Sequence, residues 1–125
     1  MTPAVAFGLV VAGAIGAPAR YVLDRFIEDR IASTYPWGTF VVNVTGSFLL
    51  GIITGAALYH ALTSTPKIVL GTGLSGAYTT FSTFTFETVR LVEEGDVTDA
   101  FRYAFASVLA GSAAAAIGLA LAAAL

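Results

Sequence analysis

Ile68-Val69-Leu70-Gly71-Thr72-Gly73-Leu74-Ser75-Gly76-Ala77-Tyr78-Thr79-Thr80-Phe81-Ser82-Thr83-Phe84-Thr85-Phe86 is the stretch on which the fold turns. It holds no charged side chain, and a helix of about 17–25 such residues crosses a bilayer. Yet three glycines (Gly71, Gly73, Gly76) and seven hydroxyls (Thr72, Ser75, Thr79, Thr80, Ser82, Thr83, Thr85) make a poor lipid-facing helix. Small residues let helices approach, and hydroxyls bond back to carbonyls one turn earlier, which is the ordinary account of Thr72, Ser75 and Thr85. The cluster as a whole predicts more. Glycines followed by a β-branched run favour a helix break near Gly76 to Thr79. Free backbone at membrane depth is tolerated only where it is buried in protein or lines a wet cavity. Carbonyls exposed there suit a hard cation, and the ends of a broken helix face an ion.

The rest of the chain has the same character. Its 125 residues are 57% apolar and only 11% charged, with a net charge of −2, whereas an ordinary soluble domain carries about 25% charged residues. Uncharged runs at Met1 to Ala19, Ile31 to Pro66 and Tyr103 to Leu125 flank the central one. Together they predict one all-α membrane domain, residues 1–125, with four transmembrane helices at about 3–23, 37–60, 67–91 and 98–125 and the third broken mid-membrane. Met1 to Gly16 lacks the basic start of a secretory signal, so it reads as a retained first helix. Trp37 and Tyr59 stand where interfacial aromatics belong. Asp24 to Ile31 reads as a helical continuation lying at the interface, because Arg25 and Asp29 are four apart while Ile27 and Ile31 share the other face. Gly95 is placed to end the third helix, with Asp96 or Thr98 capping the next. Arg20, Arg25, Arg30, Arg90 and Arg102 fall on one side of this topology and only Lys67 on the other, which taken literally puts the termini outside.

Several side chains at membrane depth are candidates for function. Phe81 and Phe84 share a helical face; they are either core packing or two positive ring edges that accompany an anion without trapping it. Asn43, Ser47, Gly51 and Gly55 follow at four-residue steps, which points the chain's one carboxamide into a helix interface. Tyr103, Ser107, Gly111 and Ala115 form a similar stripe, with Ser112 turned away from it. Ser82, Thr83, Tyr103, Ser107 and Asn43 together supply donors for a dehydrated anion. Arg20 either snorkels to headgroups or draws anions into a vestibule. Glu87 is its partner or a simple interfacial acid, and His60 at a helix end reads as solvated.

Other chemistries are poorly served. There is no Lys/Arg cluster for nucleic acid, no cysteine, no His/Asp/Glu group for a transition metal, and no nucleophile with a base at readable spacing. An enzyme is therefore the class the sequence supports least, and the chain reads as none. The first two spans lack the intramembrane acid that a proton-coupled multidrug exporter uses. That exporter class and a non-transporting assembly subunit stand as the rival readings.

Two segments, Gly38-Thr39-Phe40-Val41-Val42-Asn43-Val44-Thr45-Gly46-Ser47-Phe48 and Gly73 to Phe84, closely resemble the signature segments of the Fluc (CrcB) fluoride channels, and Gly13, Gly16, Arg20 and Tyr21 match as well. The resemblance covers the whole chain. It implies a passive fluoride channel of the cell membrane that exports the anion and lowers its toxicity. It implies an antiparallel dual-topology homodimer with two pores, and a structural sodium ion on the two-fold axis held by the backbone carbonyls of Gly76 and Thr79. Phe81 and Phe84 would flank the fluoride path, with Asn43 orienting them or donating to the ion. Ser82, Thr83, Tyr103 and Ser107 would form the polar track, and Arg20 would lie at the vestibule. Two features depart from that pattern. The uneven distribution of basic residues leaves open a partner that is a paralogous, oppositely inserted chain, and Gly111 offers no hydroxyl one turn beyond Ser107.

Overall fold

The computed structural model describes residues 1–125, which are helical with no strand. Helix α1 is Pro3–Glu28, α2 is Trp37–Tyr59 and α6 is Val97–Ala124. These three, of 26, 23 and 28 residues, are long and apolar enough to cross a membrane. Between α2 and α6 run α3 (Ser64–Lys67), a π-helical segment (Ile68–Ser75), α4 (Gly76–Tyr78) and α5 (Phe81–Glu93).

The Thr2 hydroxyl caps α1 by accepting from the Val5 N–H, and Pro3 opens the helix where a missing N–H costs nothing. The helix passes the apolar run and stops at Glu28. Ile31 lies beyond it, just past the turn at Asp29 and Arg30, although its N–H still reaches the Ile27 carbonyl at 2.9 Å. The interfacial continuation is thus one turn shorter than its charge pattern predicts.

Helices α2 and α6 share the most extensive interface, and small residues make it. A Cβ on Gly51 would collide with the Ala115 carbonyl, and one on Gly118 with the Phe48 carbonyl. Both obstacles are backbone, which cannot swing aside. Gly118→Val is therefore expected to destabilise the fold by about 1–3 kcal/mol, the usual range for overpacking. Thermal unfolding in detergent micelles, followed by circular dichroism, measures it. The close approach continues to the helix ends, where the His60 ring hydrogen-bonds the Ala122 carbonyl. His60 is exposed, as its sequence position suggests, and is in addition tied to α6 by this bond.

The third segment carries two departures from a regular helix. Through Ile68–Ser75 the turn widens, and the Gly76 N–H reaches back five residues to the Gly71 carbonyl. This widened face lies against α1, where Gly16 leaves room for the Leu74 carbonyl and Gly73 for Ala12. The chain then leaves helical geometry at Thr79 (φ −76°, ψ 160°) and Thr80 (φ −146°, ψ 119°). Gly76 itself is helical at φ −66°, ψ −36°. The β-branched threonines, which favour extended backbone, make the break, at the C-terminal edge of the stretch the sequence points to. The hydroxyls divide accordingly. Thr85 bonds back to the Phe81 and Ser82 carbonyls and Thr79 to the Ser75 carbonyl, but the buried Ser75 hydroxyl has no partner at all.

Helix α5 ends in a Schellman motif: the Asp96 N–H bonds the Leu91 carbonyl, the Gly95 N–H bonds the Val92 carbonyl, and Gly95 sits at φ +89°. Gly95→Ala is expected to cost about 1–2 kcal/mol through its left-handed backbone alone, read in the same melting experiment. The turn returns α6 onto α5 around Leu91, Ala100 and Tyr103. Only 20 of 125 residues are buried, so a single chain has little core of its own. Its outward faces carry Phe7, Val10, Phe81, Phe105 and Leu109, which require lipid or another chain around them.

Candidate ion site at the helix break

The break would leave the Thr80 peptide group unpaired in an apolar bundle. Asn43 prevents this. Its Nδ2 donates to the Thr80 carbonyl at 2.9 Å, and its Oδ1 accepts from the Thr80 N–H at 2.8 Å. The stripe that points Asn43 into a helix interface thus delivers a carboxamide to the one backbone unit that needs a donor and an acceptor. Thr80 also caps α5, its hydroxyl accepting from the Thr83 N–H at 3.1 Å and donating to Thr83 Oγ1 at 2.9 Å. Tyr78 anchors the other side of the break through its hydroxyl, 2.8 Å from Thr45 Oγ1.

These contacts free two carbonyls. In an unbroken helix the Thr80 N–H would close on Gly76 and the Thr83 N–H on Thr79. Both donors are directed elsewhere. The Thr79 carbonyl keeps only a long contact, 3.4 Å, from Arg20 Nη1. Two uncharged oxygens at the C-terminal end of α4 are the donor type a hard, weakly polarising cation takes. The residues therefore fit a sodium ion in chemistry, though one chain supplies only part of a coordination shell.

A cavity of about 330 Å³ opens at the break. It brings together Asn43, Gly76, Thr79, Phe81, Phe84 and Ser107 of the predicted set. Ser47, Ser75 and Thr80 line it as well, and the hydroxyls of Ser75 and Ser107 face no hydrogen-bond partner. A Cβ built on Gly111 would stand 3.4 Å from Ser47 Oγ, so the hydroxyl missing from α6 at Gly111 has a counterpart on α2. The rings of Phe81 and Phe84 lie 5.9 Å apart, and Phe81 is 77% exposed, so the cavity has no wall beyond that ring within one chain.

The other predicted residues lie elsewhere. Arg20 and Thr83 line a second cavity of about 210 Å³ with Asp24 and Thr39. Ser82 is exposed, and its hydroxyl hydrogen-bonds the Thr80 hydroxyl at 3.3 Å. Tyr103 is fully buried behind Phe84, with ring centroids 5.3 Å apart, and its hydroxyl donates to Glu87 at 2.9 Å. Glu87 therefore pairs with Tyr103, while Arg20 turns to the Thr79 carbonyl. Sequence reasoning passed over Thr80 and Ser75. Thr80 was legible as an N-cap, three residues before Thr83; nothing local marks Ser75 as unpaired.

The fold and its site define a multi-pass helical membrane protein with a cavity at a broken helix. Residues 7–119 match the family model described as CrcB-like protein, Camphor Resistance (CrcB), and the chain belongs to that family. A fluoride-specific ion channel FluC 1 from Streptomyces avermitilis is 51% identical over 112 residues, covering 89% of this chain and 90% of the relative. Another FluC 1, from Frankia casuarinae, is 49% identical over 120 residues, 91% of this chain and 93% of its own. A fluoride-specific ion channel FluC 2 from Mycobacterium tuberculosis is 42% identical over 121 residues, 94% of this chain and 90% of its own.

Proposed function

We propose that this chain forms a passive, fluoride-selective channel of the plasma membrane that lets cytoplasmic fluoride leave and so lowers its toxicity. The observation that carries the reading is the cavity at the break, where one face of α5 presents Phe81 and Phe84 beside unpaired hydroxyls and the Asn43 amide. The names of its relatives agree with it.

The side chains divide the work. Asn43 holds the break open through Thr80 and keeps its second amide hydrogen for an ion. The Ser75 and Ser107 hydroxyls replace part of the water that a small anion sheds. The positive edges of Phe81 and Phe84 pass the ion along without binding it deeply. Chloride is too large for such a passage, and no full positive charge sits at its centre to hold fluoride back. Arg20 raises local anion concentration near the mouth. In this reading the segment from α3 to α5 is the fourth span. The open side at Phe81 is closed by a second, antiparallel copy, or by an oppositely inserted paralogous chain, so that two subunits line each of two pores. The Gly76 and Thr79 carbonyls of both subunits would hold a structural sodium ion, which supplies a fixed positive charge and a cross-link at the two-fold axis.

Fluoride efflux from liposomes containing the purified chain tests the channel. With an ion-selective electrode, a chloride control and no pH gradient, fluoride release without chloride release is expected. Silence from folded, dimeric protein that persists after co-expression with a second subunit would overturn it. The rival proton-coupled exporter requires Glu87 open to substrate, but Glu87 is buried and bonded to Tyr103.

A further inference from the structure

Away from the break, a cavity of about 320 Å³ lies where α1 and α5 end and α2 begins. Its polar lining is Glu28, Ser33, Thr34, Arg90 and Glu94, and its aromatic lining Tyr35 and Trp37. Arg90 is held but hardly used. Its one hydrogen bond runs from Nη2 to the Thr34 carbonyl at 3.3 Å, and its Nε stands 3.9 Å from Glu94 Oε1, beyond hydrogen-bond reach, with no acceptor. A guanidinium carries five N–H donors; here the Nε is buried without an acceptor while the side chain, 40% exposed, turns its other donors toward the cavity and its mouth. Glu28 meets only a loose, exposed pair with Arg25 at 3.6 Å. The Tyr35 ring packs against Trp37 at 4.7 Å, and burial together with the nearby Asp99 pushes its phenol above the ordinary value, so it stays neutral.

The charges specify the ligand. An anion alone would face two carboxylates, and a cation alone would face the guanidinium; a compact zwitterion meets both. The level in the membrane specifies its source. Two apolar helices of membrane-crossing length, α1 and α2, end and begin here beside the end of α5, and Trp37 marks the depth at which aromatic residues meet headgroups. Exposed Ile31, Val89 and Val92 add apolar surface on the same turns.

We propose that this cavity seats the headgroup of an ethanolamine phospholipid, the phosphodiester on Arg90 and the primary ammonium against Glu28 and Glu94, with the acyl chains lying along α5. A choline headgroup offers the carboxylates no N–H, and a phosphoglycerol headgroup offers them no cation. The site is independent of ion conduction.

The test is the melting temperature of the detergent-purified chain, titrated with phosphatidylethanolamine, phosphatidylcholine and phosphatidylglycerol of identical acyl chains, and with soluble phosphoethanolamine. An upward shift is expected from the ethanolamine lipid alone. In Arg90→Gln its apparent affinity falls about tenfold, the worth of one charge-assisted hydrogen bond. Glu28→Gln, an exposed change that leaves the packing alone, is expected to weaken the preference for ethanolamine over choline, since Glu94 alone then faces the ammonium, and it serves where Arg90→Gln does not fold. Equal shifts from all three lipids, or an undiminished preference in Glu28→Gln, would overturn the site. An equal shift from soluble phosphoethanolamine would overturn the lipid as its source.

Discussion

Phe84→Ile is expected to lower fluoride flux about a hundredfold or more, a barrier increase of about 2.7 kcal/mol, while the protein still purifies as the same assembly. The ring lines the cavity and stands between Phe81 at 5.9 Å and Tyr103 at 5.3 Å. Isoleucine keeps an apolar body in that place, so packing suffers only by the loss of two aromatic pairs, about 0.5–1.5 kcal/mol each. What disappears is the positive ring edge, which no aliphatic side chain reproduces. Efflux and size-exclusion chromatography on the same sample separate the two effects. Loss of assembly in parallel with flux would assign Phe84 to packing.

Asn43 carries the second large effect, and two substitutions divide its roles. Asn43→Ala strips both partners from the Thr80 peptide, whose N–H and carbonyl then cost about 1–3 kcal/mol each as buried unpaired groups. Flux and melting temperature are expected to fall together, because the break loses its support. Asn43→Asp keeps an acceptor for the Thr80 N–H but opposes a carboxylate to the Thr80 carbonyl and to any anion in the cavity. The fold is expected to be weakened at least as much as in Asn43→Ala, because two acceptors then oppose each other at the break, and flux is still lost. If Asn43→Asp conducts normally, the carboxamide's donor has no part in permeation.

Much of this architecture was legible because bilayer length, uncharged runs and turn residues act locally. Helices α1, α2 and α6 follow the apolar runs, and Gly95 ends α5 where a left-handed residue is needed. The small-residue stripes of α2 and α6 meet as their spacing implies. Features set by how closely helices approach were not legible. The widened turn at Ile68–Ser75 lies against the glycine-lined face of α1, and no residue pattern in the segment announces it. The pairing of Glu87 with Tyr103 joins residues 16 apart through the tilt of α5 on α6, which sequence does not encode at short range. The candidate site was readable as a set of residue types; its division between two cavities, with Tyr103 behind Phe84, was not.

The Asn43–Thr80 pairing also bears on how such a chain is made. The carboxamide that satisfies the broken backbone is synthesised 37 residues before the peptide it serves. When the third segment leaves the ribosome, its receptor on α2 is already in place. The Thr80 peptide therefore never needs to wait bare in the hydrocarbon, and a newly inserted chain satisfies its own broken backbone as the third segment enters the bilayer.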